Sequence, residues 1–326
     1  MRGFMRLCAA AGVLLGWVLF APVATAAPET YPLSKVKRGQ TGYGMTTFVG
    51  STPEKFTFEI ISVMRNYMPK MDLILVKSSD PKLQLPGVWR GMSGSPLFID
   101  GKLVCAFSYA WSFNKQVMGG CTPIDYMKKE GDTIRRKATF VNGPNGTKIV
   151  QQTTASMEDW RRLTPRVDAA AALEALGPAK KSWLLSAPLP PAVKQPAPYE
   201  GQAMTASVPL SVAGFSAPAF NALAGVFADS NLTPIRAGGT GGSSAETGPK
   251  QFTLGGPISV VLARGDMAMA GTGTVTHIDG NKVLAFGHPM FKAGEIYMPV
   301  STAKVHTVVA SAQFPYVLAS PGKEVG

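Results

Sequence analysis

Residues 91–104 read Gly91-Met92-Ser93-Gly94-Ser95-Pro96-Leu97-Phe98-Ile99-Asp100-Gly101-Lys102-Leu103-Val104, and this stretch decides how the chain is read. Leu97-Phe98-Ile99 and Lys102-Leu103-Val104 flank Asp100-Gly101, a pair suited to the positive φ angles of a tight hairpin turn. The stretch therefore predicts a β-hairpin led by a glycine-flanked serine. Working outward, Phe56 to Val63 and Asp72 to Lys77 are runs of strand-formers bounded by turn residues. Lys102 to Trp111 and Gln116 to Pro123 read as a second hairpin around Ser112-Phe113-Asn114. Strand character returns in Pro257 to Leu262, Gly271 to Ile278 and Val283 to Met290. The 35 glycines and 26 prolines agree with many turns and short strands rather than long helices. No repeat of fixed period interrupts this pattern.

The middle of the chain is different. Asn142-Gly143-Pro144-Asn145-Gly146 is a turn cluster, and Ala155 to Leu176 has helical composition broken by Pro165. Ala187 to Pro198 holds five prolines in twelve residues, a stiff connector. Val208 to Arg236 reads as a small mixed segment with a helix around Ala217 to Phe227, and Gly238 to Gly248 as a flexible glycine-serine stretch. The start is a leader: Arg2 and Arg6, an apolar run from Ala9 to Phe20, and the small residues Ala24-Thr25-Ala26 predict cleavage before Ala27. An uncleaved anchor is the alternative, although the run falls short of the roughly 20 residues of a spanning helix. The expected organisation is a signal peptide at 1–26, a serine-bearing β half at 27–130, a linker and mixed α/β insertion at 131–250, and a histidine-bearing β segment at 251–326. The last segment stops in structured-looking sequence, as a fragment would.

The formal charge of +12, less the two charges of the leader, leaves a basic mature chain. For an exported protein this favours an anionic envelope surface or an acidic protein over nucleic acid, and scattered charges fit a solvated basic surface. Cys8 leaves with the leader, so Cys105 and Cys121 remain. A hairpin symmetric about Phe113 sets them opposite each other, within reach of a disulfide.

The sharpest chemical signal is Gly91-Met92-Ser93-Gly94-Ser95-Pro96. A nucleophilic serine needs a tight turn that aims backbone N–H groups at one point, and flanking glycines permit it. In trypsin-like enzymes the amides of the serine and of the residue two before it form the oxyanion hole, here Ser93 and Gly91. A plain turn with two serines would explain the same hexapeptide. Only His277, His288 and His306 can serve as base. His288 sits at a strand end after Gly287 and is the first choice; His277 and His306 lie within strand-like runs. Asp80 and Asp72 are both candidates for an orienting carboxylate, and an aspartate before proline also commonly caps a turn. Three histidines and two mature cysteines show no metal-ligand spacing, and no cofactor is expected.

These residues resemble the SpoIVB serine peptidases. One block is Phe58 to Val63, Ser79-Asp80-Pro81-Lys82-Leu83 and the serine stretch; the other is Gly273-Thr274-Val275-Thr276 with Ala285-Phe286-Gly287-His288. The resemblance implies Ser93 as nucleophile, His288 as base and Asp80 as third member, ahead of Asp72. The histidine block follows the serine block, a permuted order, and no stretch reads as the PDZ domain such proteins carry. The implied fold is mostly β, a trypsin-like double β-barrel with a mixed α/β insertion. The implied activity is an exported serine endopeptidase acting on an exported or membrane-tethered protein. Two readings compete with it: a non-catalytic envelope protein that keeps the peptidase fold for binding, and a binder of cell-wall polymer.

Overall fold

The computed structural model describes residues 27–137, 139–142, 148–151, 204–205, 207–227, 231–237, 248–290, 296 and 298–326. The leader, the expected helix at 155–176, the proline connector at 187–198 and most of the glycine-serine stretch lie outside them.

Strands β1 (Thr41–Thr46), β2 (Glu54–Met68), β3 (Met71–Lys77), β4 (Pro96–Ile99), β5 (Lys102–Ala110) and β6 (Met118–Pro123) are joined in the order β4-β1-β2-β3-β6-β5. β5 then pairs back onto β4, so six antiparallel strands close into a barrel. The expected Asp100-Gly101 turn is present, with φ of 50° and 74°. Alternation fills the interior: Phe56, Phe58 and Ile60 of β2 are buried against Ile74, Val76, Leu97 and Phe107. A short helix α1 (Pro81–Gln84) links β3 to the serine loop, and α2 (Ile124–Lys137) leaves the barrel after β6. A small ribbon pairs β7 (Thr139–Asn142) with β8 (Lys148–Gln151), and the expected turn cluster after Asn142 lies outside the described residues.

Cys105 and Cys121 form a disulfide. Their placement differs from a hairpin symmetric about Phe113. Cys105 pairs with Pro123 and Cys121 with Phe107, and an irregularity follows between Phe107 and Tyr109. The cysteines are therefore diagonal neighbours, bridged at a Cα–Cα distance of 5.6 Å.

After β9 (Met204–Thr205), which extends the first sheet beside β5, the chain builds a second sheet. Its strands are β10 (Val208–Ala213), β11 (Leu232–Arg236), β12 (Pro257–Ala263), β13 (Ala268–Asp279), β15 (Val300–Val309) and β16 (Tyr316–Glu324), in the order β11-β10-β13-β12-β15-β16. The hairpin partner β14 (Lys282–Ala285) adds to β13. The sheet curls until the Ser211 hydroxyl on β10 donates to the Ala319 carbonyl on β16 at 2.7 Å. The mostly β, double-barrel expectation holds. One assignment changes: β10 and β11, with helix α3 (Ala217–Val226) between them, are hydrogen-bonded into the second sheet rather than set apart in an insertion. Their apolar residues explain it, since Val208, Leu210, Val212 and Leu232 are all buried in that sheet's core. The first core in turn takes in Val305, Val317 and Ala319, so the two sheets share a packed boundary.

Candidate active site

Ser93 lies in the loop between α1 and β4, at that boundary. Gly91 and Gly94 adopt φ of +100° and +96°, the left-handed region where a side chain is strained. At Gly94 the need is also steric, because a Cβ there would run into the carbonyl oxygen of Thr274. Both sheets hold the loop. From the barrel, the Gly94 amide donates to Phe107 O at 2.7 Å and the Phe107 amide to Ser95 O at 2.9 Å. From β13, the Thr274 amide donates to Ser93 O (2.8 Å), Thr274 Oγ1 to Gly91 O (3.0 Å) and Thr276 Oγ1 to Gly94 O (2.7 Å). The amides of Met92, Gly94 and Ser95 are engaged by Trp89, Phe107 and Met92 carbonyls. Ser93 is fully buried.

His288 reaches this serine from 195 positions away in sequence, with Nε2 at 3.0 Å from Ser93 Oγ. The expected strand to Met290 ends earlier, at Ala285, because Phe286 and Gly287 turn to positive φ (65° and 73°). That turn lifts the histidine off β14 and across the boundary. Gly287 must be glycine here, since a Cβ would collide with the Ser108 hydroxyl. Its carbonyl is caught by the first barrel: Thr122 Oγ1 lies at 2.7 Å and Ser108 Oγ at 3.1 Å. The Phe286 amide donates to the Thr274 carbonyl at 3.3 Å, so Thr274 contacts both the serine loop and the histidine loop.

The other imidazole nitrogen, Nδ1, lies 3.1 Å from Pro289 O, which also accepts from Asn231 Nδ2 at 2.8 Å. A carbonyl only accepts, so this bond requires the proton on Nδ1 and leaves Nε2 as an acceptor for the Ser93 hydroxyl. The pair has the polarity in which the imidazole can remove the serine proton.

The carboxylates are placed elsewhere. Asp80 caps α1: its Oδ1 accepts from the Lys82 amide at 3.1 Å and its Oδ2 from the Thr57 amide at 2.9 Å. The histidine is not among its partners, which corrects the implied third member. The cause is local, because an aspartate before a proline at the first helical position is a ready N-cap. Asp72 is also occupied, by the Asn66 amide at 2.8 Å and Arg65 Nη1 at 2.6 Å, and those two bonds hold its carboxyl below the usual range. The remaining histidines stand apart from the serine as well. His306 is exposed and bonded to Ser320 Oγ at 2.8 Å. His277 is buried on β13, and burial lowers its pKa.

Sequence reading missed Ser108 and Thr122, and it gave no role to Thr274 and Thr276 although both stand in the second block of the resemblance. They look like ordinary strand residues, and only the fold brings them to the two loops. No curated protein and no solved structure matches the chain. Residues 22–127, which include Ser93 and stop before His288, match the family model of the SpoIVB peptidase S55, the family that the serine block resembles and one of peptidases.

Proposed function

We propose that this protein is a serine endopeptidase in which Ser93 and His288 carry the chemistry. The observation behind the reading is the 3.0 Å contact from His288 Nε2 to Ser93 Oγ, made by loops that two sheets fix from opposite sides. As His288 takes the hydroxyl proton, Ser93 Oγ bonds to a peptide carbonyl carbon and the C–N bond then breaks. The imidazolium returns its proton to the leaving amine. Water repeats the sequence on the acyl-enzyme and frees the serine. The Gly91 and Ser93 amides are the donors assigned to the oxyanion. The Pro289 carbonyl accepts from Nδ1 and so helps to orient the imidazole. The same reading makes the substrate an exported or membrane-tethered protein, met outside the cytoplasm after the leader is removed.

The experiment is covalent labelling of the mature protein with a fluorophosphonate, beside Ser93→Ala and His288→Ala. Labelling should be lost in both variants, with a rate deficit on the order of 10⁴-fold or more. A folded wild-type protein that takes no label sinks the enzymatic reading and leaves the peptidase fold as a binding module.

A further inference from the structure

A small pocket, open to solvent, lies beside the serine loop; Trp89, Arg90, Ala110, Trp111, Phe314 and Pro315 form much of its wall. Its position is informative. One wall is the segment that leads into the Gly91–Ser93 turn. The other is the end of β5, two residues beyond the Ser108 that engages the histidine loop. Neither Ser93 nor His288 lines the pocket; what connects it to the serine turn is Arg90, which directly precedes Gly91 in the chain.

The chemistry of the pocket centres on Arg90. Its backbone is tied to the lead-in of β16, with its amide on Pro315 O at 2.8 Å and the Val317 amide on its own carbonyl at 3.0 Å. Its guanidinium lies 4.1 Å from the centroid of the Phe314 ring. No carboxylate among the described residues pairs with it; the ion pairs there use Arg65, Lys77, Lys82, Lys102, Arg264 and Lys282. Burial brings its pKa down to about 10, which leaves it charged at neutral pH. A half-buried guanidinium stacked on the Phe314 ring and unpaired with any carboxylate among the described residues is suited to an incoming carboxylate, which it can hold with a bidentate bond.

We propose that this pocket receives an acidic side chain, aspartate or glutamate, on the acyl side of the bond to be cut, with Arg90 as the group that selects it. The proposal rests on the peptidase reading and adds the substrate class. An excess of 32 basic over 20 acidic residues favours the approach of acidic segments in the same direction.

The test uses the mature protein and the peptides acetyl-Ala-Ala-Pro-X-aminomethylcoumarin, where X is Glu, Gln, Leu or Lys. Glu should exceed its isostere Gln by roughly 10- to 100-fold in kcat/KM, the range a charged hydrogen bond supplies. In Arg90→Gln that ratio should collapse towards one. A wild-type preference for Gln, Leu or Lys, or a ratio that survives Arg90→Gln, overturns the proposal. Should Arg90→Gln not fold, quenching of the wild-type pocket tryptophans by acetyl-Ala-Ala-Pro-Glu-amide and its Gln counterpart decides instead. Tighter binding of the Glu peptide supports the proposal, and equal binding defeats it. The same titration separates the two readings: a protein that takes no fluorophosphonate and cuts no peptide is not the enzyme proposed, yet its pocket still answers the Glu-against-Gln comparison.

Discussion

The serine loop and the histidine loop meet at one hydrogen bond, but they are held in different ways. The serine loop is bonded by backbone to the barrel at Phe107 and by backbone and hydroxyls to β13 at Thr274 and Thr276. The histidine loop leaves a four-residue strand with one long backbone bond to β13, from the Phe286 amide, and is otherwise held by side chains, Asn231 on the Pro289 carbonyl and two barrel hydroxyls at the Gly287 carbonyl. Ser93, the proposed nucleophile, is built into the sheet boundary, whereas His288, the proposed base, is attached to it. Geometry at the serine therefore depends on main-chain shape, and geometry at the histidine on a few side chains that can be exchanged singly.

Four measurements would break or sharpen that contrast. Gly94→Ala should have the largest effect, because it puts a methyl at φ +96° against the Thr274 carbonyl. A loss of about 2–4 kcal/mol in urea-unfolding stability is expected. An unchanged midpoint would show that the loop can yield. Thr122→Val removes one hydroxyl from the Gly287 carbonyl and leaves Ser108. It should cost about 1–2 kcal/mol and slow fluorophosphonate labelling by roughly tenfold, with Thr122→Ser restoring both. Labelling of Thr122→Val at the wild-type rate would mean that the two hydroxyls do not position the base.

The third measurement is stability against pH. His277 lies opposite Leu284 of β14, the strand that leads to the histidine loop. Burial first, then Lys128, holds its imidazole below the ordinary 6.5. The unfolded chain thus binds the proton more readily, and stability present above about pH 6.5 falls as the pH drops through that value. The thermal midpoint should decline from pH 7 to pH 5 more steeply in the wild type than in His277→Gln; parallel curves would remove His277 from the account. The smallest effect at the site is expected from Asp80→Ala. Loss of the cap should cost about 1 kcal/mol, while the labelling rate stays as it is. A large fall in that rate would return Asp80 to the catalytic group.

What the sequence revealed follows the range of the interaction. The serine turn, the Asp100-Gly101 hairpin and helix α3 are local, and each is legible in a few consecutive residues. The disulfide was legible too, although the irregularity after Phe107 moved the register. The histidine could be chosen from three because Gly287 marks a backbone turn beside it. Asp80 misled because the same Asp-Pro pair satisfies both a family motif and a helix cap, and here the cap is what the chain builds. The hydroxyls that hold the two loops act across separations of 165 to 183 residues, where neither periodicity nor spacing carries information.

The 195-residue gap between Ser93 and His288 also has a meaning in time. Chains emerge N-terminus first, and domains form in that order. All six strands of the first barrel are complete by Pro123, long before His288 has been made. During that interval Ser93 is an ordinary alcohol. On the proposed reading, reactivity arrives only when the histidine loop docks onto the finished barrel, so a nascent chain would carry no armed nucleophile beside its own unfolded segments.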